Sequence, residues 1–331
     1  MAKKKLAFVD HNYHKKTRSG DFLREIFAKD FIIKDFWWSL KDENNLIKDL
    51  KKYENIFFFQ TLIPSYDLLK LKGKNLMWAP MYDNLSFDNN YWKKIKYINI
   101  KILSFSEKIK THVDKFKCPN IKLKFFFNYK ENKLKKPEEK INIFFWYRHD
   151  LKLNDWIYFF DPKKINKIVY FNSPDPGKKS EKIEQNYIDK YKIEIIEKSF
   201  LPHNEYIKYV KDCDVFVSPR KQEGIGMSFL EAISMGKYII SNDDSTMNEY
   251  ILDEKIGFLI NNEKSINYNN IINHNNYRML FAKDGYLKWK NKKNEILIIF
   301  EKKLVPVKKN LFIELLFLLD LMRYYLKKFL K

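Results

Sequence analysis

Short apolar runs alternate with segments of helical spacing along this chain, and the alternation occurs twice. In the first half, residues 5–10, 31–38, 55–60, 75–80 and 121–127 read as buried strands, and a further strand falls within 95–104. Helices are predicted between them at 21–28, where Phe22, Leu23, Ile26 and Phe27 form one stripe, and at 44–53, 64–71 and 107–116. Residues 128–140 have no periodicity, are dominated by charge and contain Pro137, which predicts a linker. The alternation then restarts. Strands are predicted at 141–147, 167–171, 192–197, 215–217, 237–241 and 257–260, and helices at 181–190, 204–211, 227–235, 276–300 and 310–330. Strands alternating with helices predict parallel, doubly wound α/β sheets. The expected domains are 1–135, 136–305 and a C-terminal amphipathic helix at 306–331.

One stretch carries more chemistry than the rest: Ser218-Pro-Arg-Lys-Gln-Glu-Gly-Ile-Gly-Met-Ser-Phe-Leu-Glu-Ala-Ile-Ser-Met-Gly-Lys-Tyr-Ile-Ile-Ser241. It reads as a glycine-bearing loop, a helix stopped by Gly236, and a β-branched strand. A helix N-terminus flanked by glycines offers backbone N–H groups to an anion. Glu223 and Glu231 beside it cannot bind that anion and suit sugar hydroxyls instead. Glu223 and Glu231, with seven residues between them and Gly224-x-Gly226 after the first, resemble the E-x7-E signature of GT-B glycosyltransferases of the retaining, nucleotide-sugar-dependent family 4 type.

That resemblance implies two Rossmann-like domains facing across a cleft, the second binding the donor. It implies that Glu223 holds the donor sugar, that Glu231 holds the ribose hydroxyls, and that the amides of Gly224, Ile225, Gly226, Met227 and Ser228 cradle the diphosphate. Arg148 and Lys152 follow the 141–147 strand where the family places diphosphate-neutralising cations. The family's glycine before that arginine is Tyr147 here. Ser19-Gly20 matches the glycine loop after the first strand. Many members have a histidine facing the transferred sugar after the 75–80 strand; this chain has Tyr82 and Asp83, the expected polar groups there. Asn204 is expected to cap the next helix, with His203 and Glu249 structural, and His11, His14 and His112 are weak candidates.

Composition narrows the partners. The chain has 331 residues, 45% of them hydrophobic, enough for two cores. The net charge is +21 and is concentrated: residues 93–136 carry fourteen lysines against three acids. Such a balance points to an anionic partner. A nucleic-acid-binding protein is the reading from another class, but no reader motif is present and the Glu223/Glu231 loop would go unexplained. A non-catalytic GT-B scaffold is the other alternative, prompted by Tyr82-Asp83. Two distant cysteines, Cys118 and Cys213, suggest a reducing compartment, and no stretch reaches the ~18 apolar residues of a spanning helix. A cytoplasmic enzyme is expected. No His/Cys cluster has metal-ligand spacing, so no metal or other cofactor is expected beyond the nucleotide-sugar substrate. The 310–330 segment has a wide apolar face framed by cations, suited to an anionic membrane. Its first half, 311–319, is expected to pack back on the first domain. A lipid-linked or cell-surface polysaccharide precursor is then the expected glycan acceptor.

Overall fold

Each set of apolar runs forms one parallel six-stranded sheet. The computed structural model describes residues 3–38, 43–129, 140–199, 201–260 and 265–329. Two compact units divide the chain: residues 1–123 with 290–331, and residues 124–289.

The first unit holds β1 (Lys4–His11), β2 (Phe31–Trp38), β3 (Asn55–Phe59), β4 (Asn75–Ala79), β5 (Lys101–Ser104) and β6 (Asn120–Lys122), in the order β2-β1-β3-β4-β5-β6. Every pairing is parallel. Leu6–Val9 of β1 and Ile56–Phe58 of β3 are fully buried. Continuous apolar runs of this kind belong to strands covered by helices on both faces.

The second unit holds β7 (Ile141–Tyr147), β8 (Ile165–Asn172), β9 (Ile193–Ile196), β10 (Val215–Val217), β11 (Tyr238–Ser241) and β12 (Gly257–Leu259), in the order β12-β11-β10-β7-β8-β9. These pairings are parallel too. Gly257 allows β12 to lie close to β11, because a Cβ there would meet the Ile239 carbonyl oxygen at 2.3 Å.

Several elements differ from the sequence expectation. Residues Asn89–Ile98 are helical, and only Lys101–Ser104 of the 95–104 segment is a strand. The Asp88 carboxylate accepts the Tyr91 N–H at 2.7 Å, an N-cap, and Trp92, Ile95 and Ile98 are buried at helical spacing. Asn99 at φ +69 ends that helix. The 276–300 helix is two, Asn275–Lys292 and Glu295–Glu301. The helix His203–Asp212 starts one residue before Asn204, so Pro202 and not Asn204 occupies its cap position.

The units do not divide at 135 and 305. Residues 124–129 belong with the second unit: Phe125 packs on Trp289 with ring centroids 5.1 Å apart, and its carbonyl accepts the Tyr250 hydroxyl at 3.1 Å. After Trp289 the chain belongs to the first unit, where Phe300 meets Phe27 at 5.1 Å and Phe31 at 5.5 Å. Ten residues of the expected linker, 130–139, lie outside the described residues, as do Phe200 and the chain end 330–331.

The C-terminal helix Leu311–Phe329 packs on the first unit by one face along its length, not by its 311–319 half. Phe317 is 2% exposed, Glu314 accepts the Tyr97 hydroxyl, Asp320 pairs with Lys94, and Tyr324 packs on Tyr66 at 5.2 Å.

Candidate functional site

Strand order places the site. In the second unit the chain runs outward from β7 through β8 to β9, then returns to β10 on the other side of β7. The reversal lies between β7 and β10. Loops leaving the C-terminal ends of strands at such a switch point are where open α/β sheets bind ligands. Arg148 follows β7 directly, Asp175 lies three residues beyond β8, and residues 218–226 follow β10.

These loops converge on one carboxylate. Asp175 Oδ1 accepts Arg148 Nε at 2.6 Å and also Arg148 Nη2. Its other oxygen accepts Arg220 Nη2 and lies 2.8 Å from His149 Nδ1. Arg148 and Arg220 have side chains only 20% and 19% exposed, so both guanidinium groups are held and largely desolvated. Arg148 also lies over the Trp146 ring, 4.9 Å from its centroid. Arg220 Nε is 3.9 Å from Glu223 Oε1, which links the pair to the loop carrying the glutamate.

Lys152 is not part of this cluster. It is exposed, and its contribution to the local structure is its backbone N–H, donated to Asp155 Oδ2 at 2.8 Å. The second cation is Arg220, which sequence reasoning passed over because it lies within the loop rather than after β7. Asp175 was missed as well, having no spacing to betray it.

Residues 218–226 are pinned from below. The buried Thr246 hydroxyl bonds to the carbonyl oxygens of Gly224 at 2.6 Å and Glu223 at 3.2 Å, and Asn242 Nδ2 donates to the Lys221 carbonyl at 3.3 Å. Gly224, Ile225 and Gly226 are buried. Gly226 takes φ +73 at the N-cap of the helix Met227–Ser234, a conformation that disfavours side chains. The Leu230 N–H reaches the Gly226 carbonyl at 2.9 Å. The first-turn N–H groups of Met227, Ser228 and Phe229 have no acceptor within the helix, as at any helix start. Glu231, one turn on, bonds through Oε1 to His203 Nε2 at 2.7 Å. Tyr206 donates to the Ser228 carbonyl at 3.0 Å, and burial, reinforced by Glu231, raises its pKa well above the usual phenol value. The structure thus joins Arg148, Glu223 and residues 224–228 through Asp175 and Arg220, with Glu231 on the same helix. Asp212-Cys213-Asp214 lies at the opposite end of β10, where Asp214 Oδ2 accepts the Asn142 N–H at 2.8 Å. Among the described residues no group of three or more His, Cys, Asp or Glu is placed to hold a metal ion.

In the first unit the switch point lies between β1 and β3. Gly20 caps the helix Asp21–Phe27 beside it, and a Cβ there would meet Arg24 Nη1 at 2.7 Å and Asp10 Oδ2 at 3.0 Å. Its absence lets the buried Arg24–Asp10 pair close at 3.0 Å, while His14 Nδ1 takes the other Asp10 oxygen at 2.6 Å. Tyr82 and Asp83 form a 3₁₀ turn after β4, both half-buried, with the Tyr82 hydroxyl 3.1 Å from Lys108 Nζ. Tyr82, Phe87, Glu107, Lys108, Thr111, His112 and Lys115 line an open groove of about 420 Å³ there, with the Glu107 carboxylate paired to Lys122. Burial, and then the charge of Lys115, lowers the His112 pKa.

Comparison with known proteins bears on both units. The crystal structure of a glycosyltransferase from Rickettsia africae ESF-5 is similar at TM-score 0.57 and 14% identity, over 92% of this chain and 100% of that one. The lipopolysaccharide outer core galactosyltransferase WaaB, in its apo form, is similar at TM-score 0.59 and 14% identity, over 89% and 99%. The Anabaena protein HepE, solved in complex with UDP, is similar at TM-score 0.52 and 12% identity, over 89% and 98%. The fold is GT-B. Residues 177–274 also match the family model for glycosyl transferases group 1, so the second unit carries a glycosyltransferase domain. No curated protein matches the chain by sequence. The matched segment contains Arg220, Glu223, the Gly226 turn and Glu231, while Arg148 and Asp175 precede it.

Proposed function

We propose that this GT-B glycosyltransferase moves a sugar from a nucleotide-sugar donor to a glycan acceptor with retention of configuration. The observation that carries the proposal is the pair of guanidinium groups, Arg148 and Arg220, held on Asp175 beside the Gly226 helix start at the sheet's switch point. Breaking a sugar–phosphate bond leaves positive charge at the anomeric carbon and negative charge on the departing diphosphate. Two desolvated arginine forks and a helix N-terminus stabilise that negative charge as it develops. Glu223 orients the sugar through its hydroxyls, and Glu231, steadied by His203, accepts from the ribose. In this reading the helix start and arginines do the work that a divalent ion performs elsewhere.

Tyr82, Asp83 and the groove beside them belong to the acceptor side. Aromatic faces with Lys108 and Lys115, and Glu107 already paired to Lys122, suit an anionic saccharide. The acceptor is a lipid-linked or cell-surface polysaccharide precursor, and the enzyme works peripherally on the cytoplasmic face of the membrane. No helix of the described residues is long and apolar enough to cross a bilayer.

Thermal unfolding against a panel of nucleotide sugars and free nucleoside diphosphates tests the donor reading. A ligand at 100 times its dissociation constant adds about 2.7 kcal/mol of stability. One nucleotide series raises Tm if the proposal holds. No shift with any of them contradicts it.

A further inference from the structure

The C-terminal helix Leu311–Phe329 is mounted with its more apolar side outward. Its two acidic residues are both spent on the inner side, Glu314 on Tyr97 and Asp320 on Lys94 and Ser65. Facing away are Leu311, Phe312, Leu315, Leu318, Leu326 and Phe329, at 74, 60, 51, 50, 59 and 92% exposure. At 100° per residue these and the exposed residues between them fill an arc of roughly 140° with no charge in it. The nine large side chains in the arc, each of about 200 Å² and on average somewhat over half exposed, make a patch on the order of 1,000 Å². The largest patch on an ordinary monomer is about 300–600 Å². Arg323 and Lys327, both exposed, border the arc on one side, and Lys308 and Lys309 stand at its start.

We infer that this face is the protein's docking surface for an anionic lipid bilayer, with the helix lying in the plane of the interface. The inference rests on the reading of a membrane-bound acceptor and names the element that would bring the enzyme to it. Charge selects the occupant. An apolar arc with no acid inside it, cations along one border and at its start, and Glu314 on the other border turned in to Tyr97 matches anionic headgroups above acyl chains. A second copy of a chain with net charge +21 would bring like charges together at the same rim. The helix stays bound to the first unit through its inner face, so docking needs no unfolding.

Flotation of the full chain with phosphatidylcholine vesicles, with and without phosphatidylglycerol, tests this across a salt series. Binding to the anionic vesicles is expected to be about tenfold tighter or more, and to weaken as salt rises. Leu318→Glu with Leu326→Glu abolishes that binding while Tm and nucleoside diphosphate binding stay unchanged. Arg323→Glu with Lys327→Glu removes the preference for anionic lipid. Equal binding to both vesicles, or undiminished binding of the leucine variant, overturns the inference. So does a wild-type dimer that the leucine variant converts to monomer without any vesicle binding. Vesicle binding without nucleotide binding would leave this face assigned and defeat the transferase reading instead.

Discussion

Arg220→Ala removes one of the two guanidinium groups at the switch point and leaves the other in place. Asp175 keeps Arg148 on one oxygen and His149 at 2.8 Å from the other, so the loops after β7 and β8 retain their tie and folding is preserved. Because Arg220 is 19% exposed, solvent screens it little, and the full range for a hydrogen bond to a charged group applies, about 1.5–3 kcal/mol. At ~1.4 kcal/mol per decade, nucleoside diphosphate binding weakens roughly 10- to 150-fold. Arg220→Lys keeps the charge but loses the fork, and falls between. Lys152→Ala is the control. That side chain is exposed, and exposed ionic contacts contribute about 0–1 kcal/mol, a change below about fivefold. Titration calorimetry with the nucleoside diphosphate and the matching monophosphate separates diphosphate contacts from base and ribose contacts. Wild-type diphosphate binding by Arg220→Ala, or a loss in Lys152→Ala as large as that in Arg220→Ala, would refute this assignment of the two guanidinium groups.

Glu231→Ala is expected to weaken free nucleotide and nucleotide sugar alike, by about 1.5–3 kcal/mol, whereas Glu223→Ala spares free nucleotide and loses the sugar-dependent part. Calorimetry on both variants checks this, and equal losses for nucleotide alone would end the division of roles. Transfer is expected to continue in chelator, and activity that vanishes there and returns with magnesium or manganese would refute the electrostatic account. Lys101 has a pKa lowered to about 8, chiefly by burial, with Glu301 pulling it upward. Between that value and the unfolded value of about 10.4 the unfolded chain binds more protons, so this group's contribution to stability rises with pH over that window and is lost as pH falls through 8. The Tm of the wild type relative to Lys101→Met should therefore climb from pH 8 to 10; a flat difference would contradict the shift.

The sheets were legible because their strands are continuous apolar runs bounded by polar loops, as in Leu6–Val9 and Ile56–Phe58, and the parallel order follows from alternation with helices. The helix Asn89–Ile98 was hidden because Lys93, Lys94 and Lys96 break up its apolar stripe and its start depends on the Asp88 cap. Local patterns could not show that residues 290–331 belong with the first unit, since that depends on Phe300 meeting Phe27 and Phe31 far away in sequence. In the site, Glu223, the Gly226 turn and Glu231 share one loop and helix, so a single stretch of sequence and its resemblance to a family motif were enough to single them out. Arg220 and Asp175 meet between loops after different strands, and His203 meets Glu231 between two helices, contacts that no single stretch records. Arg148 and Lys152 were both singled out from their place after β7, and the structure brings only Arg148 onto Asp175. The inward turn of Glu314 and Asp320 likewise appears only once Tyr97 and Lys94 are in position.

The central claim is that the second unit's loops activate a nucleotide sugar, and release of nucleoside diphosphate from a donor panel measures it most directly. The wild type is predicted to release diphosphate from one donor class, faster with an anionic saccharide acceptor present. Glu223→Gln is predicted to bind the free diphosphate as the wild type does and to release none from the donor. Failure of the wild type to bind or consume any nucleotide sugar, or full turnover by Glu223→Gln, would contradict the account.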